Sequence, residues 1–330
     1  MNNKQFKIAV LWENKMQNTI CIIAVYFGRL PNYFDLWRKS AGYNKSVDFL
    51  VITDQRIENL PENIQMVSMS LQEMELLAAN KLGISNIKLK SPYKCCDFKP
   101  AYGIVFQDFL RQYEYWGHCD LDMILGDLNS FFEKYRLSMY DKFLELGHLT
   151  LYRNTDEVNN RFKCSGGKYD YKTVFTTESN LLFDEHYGMI PIYNKNGFSQ
   201  FTERLFCDIA TVHFRYRNIS VSRNEKNHRK QVYYWDNGHA YRKWFDRNGG
   251  HIEEYLYIHF QKRPNFTLTF DNTQFSGFYI TNKGFFPLTK EPDIHSVKKY
   301  NRYHPIKEIA ETAHFKLKYY RKALKRRLMK

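Results

Sequence analysis

Residues 19–27, Thr-Ile-Cys-Ile-Ile-Ala-Val-Tyr-Phe, form an apolar and strongly β-branched run. A strand of this kind is buried on both faces, which is the habit of strands inside parallel or mixed α/β sheets. The next residues narrow the choice. Gly28 to Pro31 breaks the run, and 32–40 follows a helical period through Tyr33, Leu36 and Trp37. A second apolar run, 47–53, stops at Asp54. Strand, helix and strand in so short a span predict a right-handed βαβ unit.

The spacing predicts a helix over 71–82. After the Ser91-Pro92 turn it predicts an amphipathic helix over 97–113, with Phe98, Ala101, Tyr102, Val105, Phe106, Phe109 and Tyr113 on one face and Pro100 in its first turn. Residues 116–120 return as a short strand. The first 130 residues are therefore expected to build an open α/β sheet of Rossmann type. Further strands are expected at 148–153, 232–235, 241–244 and 254–260, with a polar loop at 162–177 around Gly166-Gly167. No repeat and no Pro/Gly-rich linker divides the chain, so the expectation is one domain with a C-terminal appendage.

Composition limits the function classes. Hydrophobic residues at 43% and charged residues at 25% exclude wholesale disorder. Aromatic residues reach 17%, which suits cores, sugar-stacking sites and interfaces alike. The net charge is +14, but half of it sits in 307–330, where nine Lys/Arg face two Glu. The remaining body is mildly basic and carries no zinc-finger spacing, which argues against a nucleic-acid partner. No run of about 18 apolar residues is present for a membrane span. The first 18 residues lack a signal-peptide pattern, and the six Cys show no C-x-x-C pair and read as reduced thiols, so a cytoplasmic location is expected.

The tail is expected to be a basic amphipathic helix. Ala313, Leu317, Tyr320, Leu324 and Leu328 share one face, bordered by Lys316, Lys318, Lys322, Lys325 and Arg326. Such a helix suits the anionic inner face of a membrane, and equally suits a solvated helix packed on the body.

The segment that carries chemistry is Trp116-Gly-His-Cys-Asp-Leu-Asp-Met-Ile-Leu-Gly-Asp127. Asp120 and Asp122 follow directly on a strand, where ligands of open α/β sheets bind. Two carboxylates so placed can share one divalent cation and leave it open positions for phosphate oxygens.

Lys94-Cys-Cys-Asp-Phe-Lys-Pro-Ala-Tyr-Gly103 and Tyr115-Trp-Gly-His-Cys-Asp-Leu-Asp122 resemble the sugar-nucleotide half of GT-A glycosyltransferases. The chain resembles more closely a family of bacterial GT-A-like proteins associated with capsule, teichuronic-acid and lipopolysaccharide gene sets. Tyr26-Phe-Gly-Arg-Leu-Pro31, Cys96-Asp-Phe-Lys-Pro100, Gly147-His-Leu-Thr-Leu-Tyr-Arg-Asn154 and Tyr257-Ile-His-Phe-Gln-Lys-Arg263 add to the match, which spans 19–263. The resemblance implies a GT-A-type open mixed sheet flanked by helices. It divides the chain into an extension (1–18), a nucleotide-sugar half (19–135), an acceptor half (136–304) and the basic helix (305–330).

It also implies a metal-dependent transfer from a nucleotide diphosphate-sugar, a UDP-sugar first, to a cell-envelope glycan or lipid-linked acceptor. Mn²⁺ or Mg²⁺ would sit between Asp122 and the diphosphate, with Asp120 facing the metal or the ribose. Lys99 would meet a phosphate. Asp97 would meet the ribose or base, although it also suits a helix N-cap. Phe27 and Asp54, at the ends of the first two strands, are placed for a base, although both also suit plain strand termination. His259 is the implied third metal ligand, with Lys262 or Arg263 on the diphosphate. On the acceptor side Asp184 and Glu185 are the candidates for a catalytic base. His148 and Arg153 are placed to line the acceptor pocket. Tyr234, Trp235 and Trp244 suit sugar stacking, and suit core packing better. A reading from another class stays open: a non-catalytic glycan- or membrane-binding protein on a decayed transferase scaffold.

Overall fold

The computed structural model describes residues 18–210, 214–219, 226–261, 267–268, 271 and 274–328. Eight strands come from the described residues 18–201: β1 (Ile20–Tyr26), β2 (Asp48–Thr53), β3 (Ile64–Ser68), β4 (Tyr115–Cys119), β5 (Met123–Leu125), β6 (Lys142–Phe143), β7 (Leu149–Arg153) and β8 (Gln200–Phe201). All but β5 form one sheet, in the order β3-β2-β1-β4-β7-β6-β8. The first four strands in that order run parallel, and β7 turns antiparallel against β4. This is the open mixed α/β sheet expected from the sequence.

Its two faces follow from alternation along β1. Cys21 and Ile23 pack into one core with Met74 and Ala78 of the helix α2 (Leu71–Leu82). Ile20, Ile22 and Ala24 pack into the other with Phe34, Trp37 and Ala41 of α1 (Phe34–Tyr43). Helix α2 opens on a reciprocal Ser70–Glu73 capping box and closes at Gly83 in the left-handed conformation.

The expected single helix over 97–113 is a chain of short pieces over 92–110. A 3-10 turn, Lys99–Ala101, interrupts it. The helical stretch begins earlier than the pattern suggested, so Pro100 falls inside it and has no N–H to continue the ladder. Within 162–177, expected as loop, Asp170 caps a short helix, Tyr171–Thr176.

The C-terminal third forms a second sheet. Its strands belong to the set β9 (Cys207–Asp208), β10 (Gln231–Asp236), β11 (His239–Asp246), β12 (Gly249–Tyr255), β13 (Tyr257–His259), β14 (Thr267–Leu268), β15 (Gly277–Thr281) and β16 (Gly284–Pro287). Six of them run in the order β12-β11-β10-β15-β16-β14. The strand expected at 254–260 is two strands: the chain leaves this sheet after Tyr255, and β13 joins β5 and β9 in a small third sheet. Trp235 and Tyr234 are core residues. Trp244 stacks between the imidazoles of His228 and His251. A helix, Ile294–Tyr300, and the terminal helix, Pro305–Leu328, complete the described chain. Among the described residues no helix is long and apolar enough to cross a membrane.

Candidate active site

Parallel pairing of β1 with β4 brings the carboxyl ends of both strands to one edge, and the antiparallel β7 returns its amino end there. The Asp120 N–H donates to the His148 carbonyl at 3.0 Å, joining the loop after β4 to the start of β7. The small sheet supplies the remainder. In β13 His259 lies opposite Met123 of β5 and beside Asp208 of β9. Phe260 N–H donates to the Asp122 carbonyl at 3.0 Å. Asp120, Asp122 and His259 thereby converge, with ligand atoms within 4.8 Å of one another. His148, Asp208 and His259 make a second such group.

The His259 imidazole is held between two carboxylates. Its Nδ1 lies 2.9 Å from Asp208 Oδ1, and its Nε2 lies 3.5 Å from Asp122 Oδ1. Burial opposes a charge on the ring, but the hydrogen bonds and charges of Asp122 and Asp208 carry its pKa up to about 10. A row of this kind calls for a positive charge at its centre, and either a proton or a cation supplies it. With Nδ1–H given to Asp208, Nε2 is the nitrogen that could face a cation. His148 stacks on His259, ring centroids 4.4 Å apart, and hydrogen-bonds with the Tyr257 hydroxyl at 2.7 Å. Burial, with the neighbouring His259, holds His148 well below the usual imidazole range.

Two joined cavities meet at this cluster. The larger, about 420 Å³, includes Asp184, Glu185 and Asp208 in its wall. The smaller, about 110 Å³, is walled by aromatic residues, among them Phe27, Tyr33 and Tyr93. Tyr93, Lys99, Asp120 and Asp122 line both.

Lys99 is buried at the junction. Its Nζ donates to Asp120 Oδ1 and to the Gly147 carbonyl, each at 2.7 Å, and stands 3.6 Å from Asp184 Oδ2. Burial opposes its charge, but the carboxylates around it, Asp120 foremost, raise its pKa well above the usual value. Burial likewise pushes Asp120 upward, and Lys99 and then His259 outweigh it and lower the carboxyl. Asp184 behaves differently. Burial dominates, and its carboxyl is pushed up to about 7. Glu185 Oε1 accepts the Gly147 N–H at 2.7 Å. Leu182 and Gln261, both in the wall of the larger cavity, adopt left-handed φ values of 53° and 56°. Strain of this kind persists where the surroundings impose it.

Three expected residues lie elsewhere. Asp97 faces neither cavity. It is fully buried, paired with Lys94 at 2.7 Å, and accepts the N–H groups of Leu181 and Phe183. It caps no helix, and these bonds occupy it in fastening the segment that carries Asp184. Asp54 is exposed, lines neither cavity, and accepts the Gly28 N–H at 2.9 Å. That bond holds the turn after β1, where Gly28 has a φ of 90°. The Gln55 amide, with the Gly28 N–H, keeps the Asp54 carboxyl below its usual range. Arg153 pairs with Asp141 instead of entering the pocket. Phe27 reaches the smaller cavity only as the edge of a buried ring, 6% exposed. Lys262 and Arg263 lie outside the described residues.

Sequence reasoning missed two residues. Asp208 gave one local signal, a carboxylate inside the apolar stretch Leu205-Phe-Cys-Asp-Ile-Ala210. Tyr93 is 56% exposed and borders both cavities, yet nothing in its neighbourhood marks it.

The chain belongs to a family of unknown function, DUF6625, whose profile matches residues 22–289. No curated protein matches it. Similar solved structures include the galactosyltransferase LgtC in complex with donor and acceptor sugar analogues, at 11% identity, a TM-score of 0.34, and coverage of 57% of this chain and 75% of that one. They also include the apo form of mouse xyloside xylosyltransferase 1, at 6% identity, a TM-score of 0.35, and coverage of 58% and 88%.

Proposed function

We propose that this protein is a metal-dependent glycosyltransferase. It would move a sugar from a nucleotide diphosphate-sugar, a UDP-sugar in the first instance, to a cell-envelope glycan or a lipid-linked acceptor. The observation that carries the reading is the convergence of His259, in the acidic pocket, with Asp120 and Asp122 on the wall that this pocket shares with an aromatic slot. The donor set fits a divalent ion: two carboxylates, and an imidazole whose other nitrogen is already committed to Asp208. Asp120, Asp122 and His259 would hold Mn²⁺ or Mg²⁺. Such an ion, when bound, offsets the charge that builds on a departing diphosphate.

The chain's own residues have distinct tasks. Tyr93 and the edge of Phe27 would wall the base. Lys99 holds Asp120 in place and stays charged. Asp208 fixes the His259 tautomer. Asp184 would take the proton from the acceptor hydroxyl, since a carboxyl near 7 is both ionised in part at neutral pH and basic enough to accept. Glu185 holds the Gly147 loop against it. On the terminal helix Ile306, Ile309, Leu317 and Tyr320 are exposed beside Lys307, Lys316 and Arg321, a face suited to an anionic membrane that carries the acceptor.

The test is a thermal-shift and calorimetric panel of nucleoside diphosphates with and without Mn²⁺. One nucleotide should stabilise the protein only with metal, and Asp122→Asn should abolish the effect. Stabilisation by no nucleotide, or an unchanged response in that variant, would overturn the reading.

A further inference from the structure

A second polar cavity, about 340 Å³, lies where the second sheet, the helix Ile294–Tyr300 and the start of the terminal helix meet. It shares no lining residue with the acidic site. Arg215, Lys283, Lys298, Lys299, Arg302 and Lys307 line it, and no carboxylate among the described residues does. Arg215 is neutralised by Glu308, just outside the wall. The other five cations have no carboxylate partner among the described residues.

Five like charges around one cavity repel one another. Part of the arrangement has a local cause. Lys298 and Lys299 stand in the last turn of their helix, where cations complement the dipole. That cause does not extend to Lys283, in the turn between β15 and β16, to Arg302, or to Lys307, in the first turn of the terminal helix. Lys283 comes from a separate segment, the hairpin turn, and still converges with Arg302 and Lys307, which follow the helix. The Nδ2 donor of Asn282, also in the wall, is shielded from solvent and has no hydrogen-bond partner among the described residues. A cavity with excess cations, an unsatisfied amide donor and no acceptor carboxylate lacks one thing, an oxyanion.

We propose that this cavity binds a phosphate group, carried either by a lipid headgroup or by a soluble phosphate compound. Lys and Arg ammonium and guanidinium groups supply the charge, and the Asn282 amide supplies a directional donor. The terminal helix begins at its rim and carries the exposed apolar residues Ile306 and Ile309, so a headgroup seated here would place them at the acyl boundary. The site does not depend on the transferase reading.

The test uses the full chain and two probes. Inorganic phosphate is titrated by calorimetry. Vesicles of phosphatidylcholine, with and without phosphatidylglycerol, are assayed by co-sedimentation. The variants are Lys299→Ala with Arg302→Ala, Lys283→Ala alone, and an outer-helix control, Lys316→Ala with Arg321→Ala. The parent should bind phosphate at one saturable site. The double pocket variant should bind it roughly 25-fold more weakly and Lys283→Ala about fivefold, the scale of one charge at an anionic surface. The outer-helix control should bind phosphate like the parent. Loss of phosphatidylglycerol vesicles by the pocket variants, beyond the loss in the control, identifies a headgroup. Unchanged vesicle binding with lost phosphate binding identifies a soluble ligand. No phosphate binding by the parent, or equal losses in pocket and outer-helix variants, would overturn the site.

Discussion

Gly147→Ala probes the acceptor side of the proposed site with one added methyl. The backbone at Gly147 is not in the left-handed region, so alanine fits its dihedrals. The space does not fit. A Cβ there would meet Asp184 Oδ2 at far less than contact distance, Asp184 Cγ at 2.9 Å and Glu185 Oε1 at 3.0 Å. Both carboxylates must move, Asp184 by about an ångström to regain an ordinary contact. A misplacement of about 1 Å in a reacting group costs about 100-fold in rate.

The three atoms nearest the new methyl belong to Asp184 and Glu185, none of them to Asp120, Asp122 or His259. Mn²⁺ affinity should therefore hold within about twofold, while kcat for transfer, or for donor hydrolysis in its absence, falls about 100-fold. Isothermal titration with Mn²⁺ and a turnover assay on the same preparation separate the two. Parental turnover in Gly147→Ala would refute the placement of Asp184 and Glu185 at the reaction. Equal losses of metal affinity and turnover would show that the loop serves the metal instead.

Three further predictions rest on separate residues. Asp208→Ala should weaken Mn²⁺ binding by about 10- to 100-fold, because His259 loses the partner that sets its tautomer, while Asp208→Asn, which keeps an oxygen for Nδ1–H, should lose less; calorimetry on the metal-free protein checks it, and parental affinity in the Ala variant would contradict it. Lys94→Met leaves Asp97 buried without its cation and should cost about 3–5 kcal/mol in urea unfolding; a loss under 1 kcal/mol would deny the pair its anchoring role. Lys142 is buried with no hydrogen-bond partner for Nζ among the described residues, and burial lowers its pKa from the ordinary 10.5 to about 7. The unfolded chain therefore binds a proton that the fold refuses between pH 7 and 10.5, so stability should rise with pH across that window. Lys142→Met should flatten this slope and stabilise the protein near pH 7 by roughly 2–4 kcal/mol, the ring contact with Tyr193 offsetting part of the gain; a destabilised variant with the parental slope would show the amine to be charged in the fold.

The elements legible in the sequence are those whose burial is written in contiguous residues. β1, β2, α1, α2, β4 and β7 each carry an apolar run or a helical period of their own. β3 is short, Ile-Gln-Met-Val-Ser, and only its place beside β2 makes it a strand. β9 and β14 have two residues each, too few to carry a period. The site divides along the same line. Asp120 and Asp122 stand next to a readable strand. Asp208 and His259 meet because β9 pairs with a strand about 50 residues further on. Asp97 was misplaced for a related reason. Its partners Leu181 and Phe183 are more than 80 residues away, and nothing nearby in the chain announces them.

The distribution of charge ties the two proposed sites to one physical problem. The molecule carries +14 overall, yet its acidic cavity is lined by five carboxylates against one lysine and the His259 imidazole, whose pKa is raised to about 10. Lys99 cannot serve an incoming diphosphate freely, since Asp120 and the Gly147 carbonyl already hold its ammonium. A nucleoside diphosphate entering that cavity without a counter-charge would meet like charge in a partly desolvated wall, where repulsion is least screened. Donor affinity should then depend on a divalent cation far more steeply than a basic pocket would require. The phosphate-sized cavity at the root of the terminal helix is the opposite case. It has cations enough to hold a phosphate unaided, so its binding should be indifferent to Mn²⁺ and sensitive to salt. Measured on one protein, these two dependences separate the sites without any mutation.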